Sequence, residues 1–256
     1  MKLSIIIPCY NEEKTLKPLI KSLLRVDFPI DREIIVVDDG SRINHKEIIL
    51  EEIITKKIKF IRLPENQGKG VAIRVGLKYA DGNIFIIQDA DFEYDPLDIP
   101  KLLEPILSKE FEVVYGTRFS TKPKIMSKSH LLGNILLTKL TNFLFHVNLT
   151  DMETGYKLFT KKVLDDLKLN AREFELEPEI TAQIILKGYQ IKECPIRYNI
   201  RRYGFAKINY FDGIEGALVL LKYRLFGDSK LYQFIYNVYK FHFKKIIKKI
   251  QKKIPI

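Results

Sequence analysis

Residues 3–9 form a β-branched run rich in isoleucine and closed by Pro8, the pattern of a strand buried on both faces. Leu16, Leu19, Ile20, Leu23 and Leu24 then recur at helical spacing, which predicts an amphipathic helix from Glu12 to about Arg25, capped by Asn11. A second strand at 33–37 runs into Asp38-Asp39-Gly40-Ser41, and a helix at about 45–55 and a strand at 58–62 follow. The loop 64–70 leads into a helix at 71–79, and 83–87 and 112–115 give a fourth and a fifth strand. Strand and helix in alternation predict an α/β fold, a mostly parallel sheet flanked by helices with right-handed crossovers.

The pattern changes after the fifth strand. Residues 131–149 are apolar on most sides but interrupted by Asn134, Lys139, Asn142 and His146, which fits a core helix or one lying on a membrane. A short strand at 157–159, a helix with Pro178 in its first turn, a strand at 189–200 and a helix at about 209–225 complete a domain over residues 1–226. Beyond Gly227, Phe243, Ile246, Ile247, Ile250 and Ile254 form one helical stripe among six lysines. Residues 227–256 therefore read as a basic amphipathic tail.

Composition sharpens this division. The 256 residues are 46% hydrophobic, enough for a sizeable core, and the formal net charge is +11. Residues 227–256 hold eight Lys against one Asp, so +7 of that charge sits in the tail. Such a segment suits an anionic membrane surface, and a docked helix with solvated lysines is the alternative. No nucleic-acid recognition motif accompanies the charge. Cys9 and Cys194 read as separate buried thiols in a reducing compartment rather than a disulfide. No signal peptide is expected, and no run of about 18 apolar residues predicts a membrane-spanning helix.

Candidate chemistry gathers at the strand ends. Asp89, Asp91 and Glu93 follow the fourth strand, and Asp98 stands at a helix N-cap position. Like charges this close raise one another's pKa, and a hard divalent ion with oxygen ligands removes that cost. An acidic surface turn is the plainer reading. Parallel strands would bring this loop to one edge with Pro8-Cys9-Tyr10-Asn11-Glu12 and Asp38-Asp39-Gly40-Ser41. There Tyr10 could flank a base and Asp39 could accept from base N–H or ribose hydroxyls; Asp38 and Asp39 also suit a turn with Gly40. Asn66-Gln67-Gly68-Lys69-Gly70 fits a phosphate loop or a tight strand-to-helix turn, and its spacing excludes a Walker A loop. Arg118, just past the fifth strand, and Arg201, Arg202 and Lys207 are phosphate candidates.

Taken in order, the motifs at 6–12, 36–41, 66–70 and 88–91 resemble family 2 glycosyltransferases of the GT-A fold. The nearest resemblance, over about residues 1–226, is to synthases that charge dolichyl or other polyprenyl phosphates with mannose or glucose. It implies a nucleotide diphosphate sugar donor, GDP-mannose or UDP-glucose, with Pro8, Tyr10, Glu12 and Asp39 at the base and ribose. Asp89 matches a position by the ribose and diphosphate, and Asp91 and Glu93, with Asp89 nearby, match the site of Mg²⁺ or Mn²⁺. Position 93 is often Gln in mannosyl members, so Glu93 departs from them. Lys69, Arg118 and the loop from Arg201 through Arg202 to Lys207 would hold phosphates, although Ala206 stands where the family usually has Ser. Asp151-Met152-Glu153-Thr154-Gly155-Tyr156 resembles the segment that floors the acceptor side.

The expected function is inverting hexosyl transfer to a polyprenyl phosphate by a peripheral enzyme on the cytoplasmic face of a membrane. Asp89, Asp91, Arg118 and Arg202 would carry the chemistry. A phosphate acceptor, with a second pKa of about 6, needs no strong base. A glycan or protein hydroxyl acceptor would need one, with Asp151 or Glu177 as candidates. A noncatalytic nucleotide-sugar-binding module is the remaining alternative.

Overall fold

The computed structural model describes all residues except Lys56, 120–127, Ile200, Arg202, 204–209 and 228–256. Its strands are β1 (Lys2–Cys9), β2 (Asp31–Asp38), β3 (Lys59–Arg62), β4 (Ile84–Ile87), β5 (Val113–Thr117), β6 (Lys157–Thr160) and β7 (Ile191–Pro195). They form one sheet in the order β3-β2-β1-β4-β6-β5-β7. Only β6 runs antiparallel to its neighbours β4 and β5, so the parallel expectation holds for the rest. The helices are α1 (Leu16–Arg25), α2 (His45–Ile48), α3 (Leu50–Ile54), α4 (Lys69–Lys78), α5 (Ile99–Leu107), α6 (Lys128–Phe145), α7 (Lys161–Asp166), α8 (Leu176–Leu186) and α9 (Tyr210–Phe226).

The two-residue period of β1 divides the core. Leu3, Ile5 and Ile7 face one layer with Leu16, Leu19, Leu23, Leu102 and Leu103, from α1 and α5. Ile6 faces the other with Ile35, Val37, Ile73, Leu77 and Ile180, from α4 and α8. Both faces of the central strands are thus covered, which is why β4 is apolar throughout and β1 is apolar at most positions rather than alternating, its buried Ser4 donating to Glu33. A third cluster, with Phe145, Met152, Ala182, Leu220 and Tyr223, joins α6, α8 and α9.

Local chemistry moved several boundaries. The helix expected from Glu12 begins at Leu16, and Asn11 does not cap it. Asn11 has φ 53° and its Oδ1 accepts from the Arg42 amide, tying the loop after β1 to the loop after β2. The helix expected at 45–55 is broken at Ile49, and Asn44 caps its first piece through the Lys46 amide. Asp98 does not cap α5; its carboxylate takes the amide and guanidinium of Arg197, while Asp95 caps the preceding turn at Leu97. The strand expected at 189–200 runs from Ile191 to Pro195, and beyond it Tyr198 forms an isolated bridge to Tyr94. Residues 131–149 yield α6, which buries Thr138, Thr141 and Phe145 and exposes Leu132, Leu136 and Phe143. The tail falls outside the described residues from 228 on. Among the described residues no helix is long and apolar enough to cross a membrane.

Candidate active site

The loops after β1, β2 and β4 meet at one edge of the sheet, around a cleft of about 670 Å³, a volume suited to a small-molecule ligand. Pro8, Tyr10, Glu12, Asp39, Lys69, Asp89, Asp91, Glu93, Arg118 and Arg201 all line it. Arg202 and Lys207 lie outside the described residues.

Adjacent acids after β2 have separate tasks. Asp38 is fully buried and accepts from Arg62 Nη1 at 2.8 Å and from the Ser41 amide at 3.0 Å. Burial opposes its charge, but His45 and Ser41 outweigh that and hold its pKa below the usual value. Asp39 lines the cleft, yet its two oxygens accept from the amides of Gln67 and Gly68, each at 2.8 Å. It thereby shapes the loop that leads into α4. Gly68 is required there: its φ is +104°, and a Cβ would lie 2.2 Å from the Arg172 carbonyl oxygen.

Lys69 is held by two acids, Asp89 Oδ1 at 2.8 Å and Glu177 Oε1 at 2.9 Å. Burial would lower its pKa, but these carboxylates keep it well above the ordinary value. Arg118 is likewise committed: Asp151 accepts from its Nε and Nη2 at 2.7 Å and from its amide at 2.9 Å. That pair is buried, and Tyr198 lies 5.5 Å from the guanidinium. Arg118 therefore reaches the cleft already paired, not as a solvated cation.

Arg201 closes the acid side. It donates to Glu12 Oε1 at 2.5 Å and to Asp91 Oδ2 at 3.3 Å, and stands 4.0 Å from Glu93 Oε1. Burial, then repulsion from Asp89 and Glu93, pushes the Asp91 carboxyl up to about 7. Glu93 Oε2 accepts from Tyr198 at 2.6 Å, and its amide donates to Asp91 Oδ1 at 3.1 Å. Among the described residues no three acid, histidine or cysteine side chains converge on one point as a metal cage. Asp89 is drawn to Lys69 and Glu93 to Tyr198, leaving Asp91 central. The donors are nonetheless all carboxylate oxygens, the set a hard divalent ion takes, and Asp91 carries repulsion that a cation would relieve.

The far wall comes from the turn before β6 and from α8. Gly155 allows a close approach there, since a Cβ on it would lie 2.5 Å from Asp89 Oδ2. Tyr94 accepts from the Gly155 amide at 2.9 Å and packs on Tyr156, ring centroids 4.8 Å apart. Burial, then repulsion from Glu177, pushes Glu153 up to about 7. Lys157 is pulled down to about 8 by burial and donates to the carbonyls of Met152 and Thr154.

The sequence placed Glu153 and Tyr156 only within the segment that resembles an acceptor floor, with no role of their own, and assigned nothing to Tyr94 or Tyr198. An acid inside the turn at 151–155 was a usable signal for Glu153. Tyr198 had none, because it reaches Glu93 only through tertiary pairing.

The profile of glycosyl transferase family 2 matches residues 4–168. A Pyrococcus furiosus dolichol-phosphate mannosyltransferase is 30% identical over 220 residues, 81% of this chain and 59% of that protein. This chain thus spans somewhat over half the length of that relative. A Methanococcus voltae UDP-N-acetylglucosamine–dolichyl-phosphate N-acetylglucosaminyltransferase is 31% identical over 242 residues, 87% of this chain and 92% of that one. The Mycobacterium tuberculosis glucosyl-3-phosphoglycerate synthase, crystallised with Mn²⁺, UDP and glucosyl-3-phosphoglycerate, superimposes with a TM-score of 0.68 at 19% identity, covering 90% of this chain and 81% of that one. This last likeness supports the GT-A fold.

Proposed function

The chain belongs to glycosyl transferase family 2, and we propose that it moves a hexose from a nucleotide diphosphate sugar to a polyprenyl phosphate, with inversion at the anomeric carbon. One observation carries the acceptor half. The cleft that holds Asp89, Asp91 and Arg118 is also lined by His130, Asn134 and Leu137 of α6 and by Asp212 and Gly213 of α9. The outer sides of these two helices expose Leu132, Leu136 and Phe143, and Ile214, Leu221 and Leu225, at helical spacing. Apolar stripes at the mouth of a polar cleft suit a lipid whose phosphate enters while its chain stays in the bilayer. The basic tail adds attraction to anionic lipid, which favours a peripheral enzyme at the cytoplasmic face.

Tyr10 and Glu12 would border the base and ribose, with Asp39 holding the loop of Gly68 beside them. Asp91, with Glu93 and Asp89 beside it, would hold Mg²⁺ or Mn²⁺. When bound, that ion supplies charge neutralisation to the leaving diphosphate. Arg201 sits among the same acids and is positioned to turn to phosphate oxygens, and Arg202 and Lys207 of its loop have the chemistry to join it. Arg118, fixed by Asp151, keeps Nη1 without an acceptor among the described residues, and it faces the acceptor side. An ionised phosphate nucleophile needs positioning rather than deprotonation, so Glu177, bound to Lys69, is not required as a base.

The test is a panel of labelled nucleotide sugars with a short polyprenyl phosphate, with and without EDTA, on wild type and Asp91→Asn. The expected result is transfer to the lipid phosphate, abolished by EDTA and by the substitution, with substantial turnover kept in Glu177→Gln. Transfer confined to hydroxyl acceptors and lost in Glu177→Gln would replace this reading with the hydroxyl one.

A further inference from the structure

The cleft has a corner whose polar atoms are mostly acceptors. Glu153 lines it, and its carboxylate accepts no hydrogen bond from the described residues, with Oε1 buried. Glu177 gives Oε1 to Lys69, while its Oε2 is buried and unpaired. Asp89 completes the corner against Gly155. Buried acceptors without donors are costly to keep, so a ligand that brings donors gains by meeting them. The neighbouring cations are already committed: Lys69 to Asp89 and Glu177, Lys157 to the carbonyls of Met152 and Thr154, and Arg118 to Asp151. Among the described residues, a carboxylate brought here would meet three acids, and the cations beside them, Lys69, Lys157 and Arg118, already hold acceptors of their own, Arg118 keeping only Nη1 to spare.

We propose, building on the donor reading above, that this corner receives the transferred sugar and that Glu153 selects a neutral sugar, rich in hydroxyl or amide donors, against a uronate. Hydroxyls and an acetamido N–H can donate to Glu153 and Glu177. A uronate carboxylate offers these groups only further acceptors and like charge, and a site left with unpaired buried polar groups rejects such an analogue strongly. Asp89 and Lys69 bound the corner toward the diphosphate, so the selected group is the sugar and not the nucleotide.

The experiment is calorimetry on the full chain with Mg²⁺ at pH 8, above the value to which burial raises Glu153. The titrants are UDP, UDP-glucose, UDP-N-acetylglucosamine and UDP-glucuronate, with GDP and GDP-mannose in parallel, against wild type, Glu153→Gln and Glu153→Ala. We expect the neutral nucleotide sugars to bind at least about 100-fold tighter than the uronate. Glu153→Gln should cut that preference about 10-fold and leave bare diphosphate affinity within about 2-fold. Glu153→Ala should weaken neutral sugars and again spare the bare diphosphates. Equal affinity for uronate and neutral sugar overturns the proposal, as does a Glu153→Gln effect as large on UDP or GDP as on the sugar nucleotides. If the preference appears but no sugar reaches polyprenyl phosphate, the acceptor reading falls and the sugar corner stands. If no nucleotide diphosphate binds, both fall.

Discussion

Asp151→Ala breaks the buried Arg118–Asp151 pair from one side. Asp151 is fully buried and Arg118 is 7% exposed, joined by contacts of 2.7, 2.7 and 2.9 Å. Removing the carboxylate leaves a mostly buried guanidinium, which cannot shed its proton, without its bidentate partner. Breaking a buried pair from one side costs about 3–5 kcal/mol. For a domain of this size that lowers Tm by roughly 6–20 °C. The double variant Arg118→Met/Asp151→Leu leaves no stranded charge and should regain most of the loss, yet show no transfer because the cleft has lost Arg118. Urea unfolding with an unchanged m-value would measure both. The reasoning fails if Asp151→Ala costs less than about 1 kcal/mol, or if the double variant is no more stable than the single.

Gly68→Ala should destabilise by about 1–3 kcal/mol through its φ and the clash with the Arg172 carbonyl, and should weaken nucleotide binding; thermal melts and calorimetry check both. Glu33 gives an acid-limb prediction: burial pushes its carboxyl up, but Lys59, Ser4, the Asp81 amide and Lys2 outweigh burial and hold it at about 2. Its folded pKa lies below the ordinary 4.5, so its contribution is complete above about pH 4.5 and is lost as pH falls toward 2. Screening at the half-exposed Lys59 and Lys2 discounts that contribution to about 1–2 kcal/mol, and Glu33→Gln should flatten stability against pH across this window. Deleting residues 240–256, or combining Phe143→Ser with Leu225→Ser, should reduce pelleting with anionic vesicles. High salt should mimic part of the tail effect only, and equal pelleting of all forms would remove both surfaces as membrane contacts.

What the sequence conveyed well is what depends on periodicity and on strand order. The isoleucine-rich run at 3–9, the stripe of α1 and the acids after β4 are local patterns, and parallel strands carry their ends to one edge. Tertiary pairing was not legible. Nothing near Arg118 announces that Asp151, 33 residues away, takes its guanidinium, or that Asp39 serves the Gly68 loop. Asn11 had the chemistry of a cap, but a longer-range partner, the Arg42 amide, claimed its side chain. Asp98 lost its expected cap role to Arg197 in the same way. In each case a polar side chain with two local uses was fixed by a donor distant in sequence.

The single antiparallel strand also sets a timetable for synthesis. Once Ile87 has left the ribosome, β3, β2, β1 and β4 can pair with one another in full. The other edge of β4, four buried apolar residues, waits for β6, which ends at Thr160, about 73 residues later. At roughly 5–20 residues per second, that edge stays open for about 4–15 s. An unpaired apolar strand is a template for other chains, so the nascent protein passes through its most aggregation-prone interval here. β6 then joins β4 to the waiting β5, and β7 adds to the far edge of β5 once residue 195 has emerged. Yield on expression should therefore respond to translation speed between residues 88 and 160 more than to speed elsewhere in the chain.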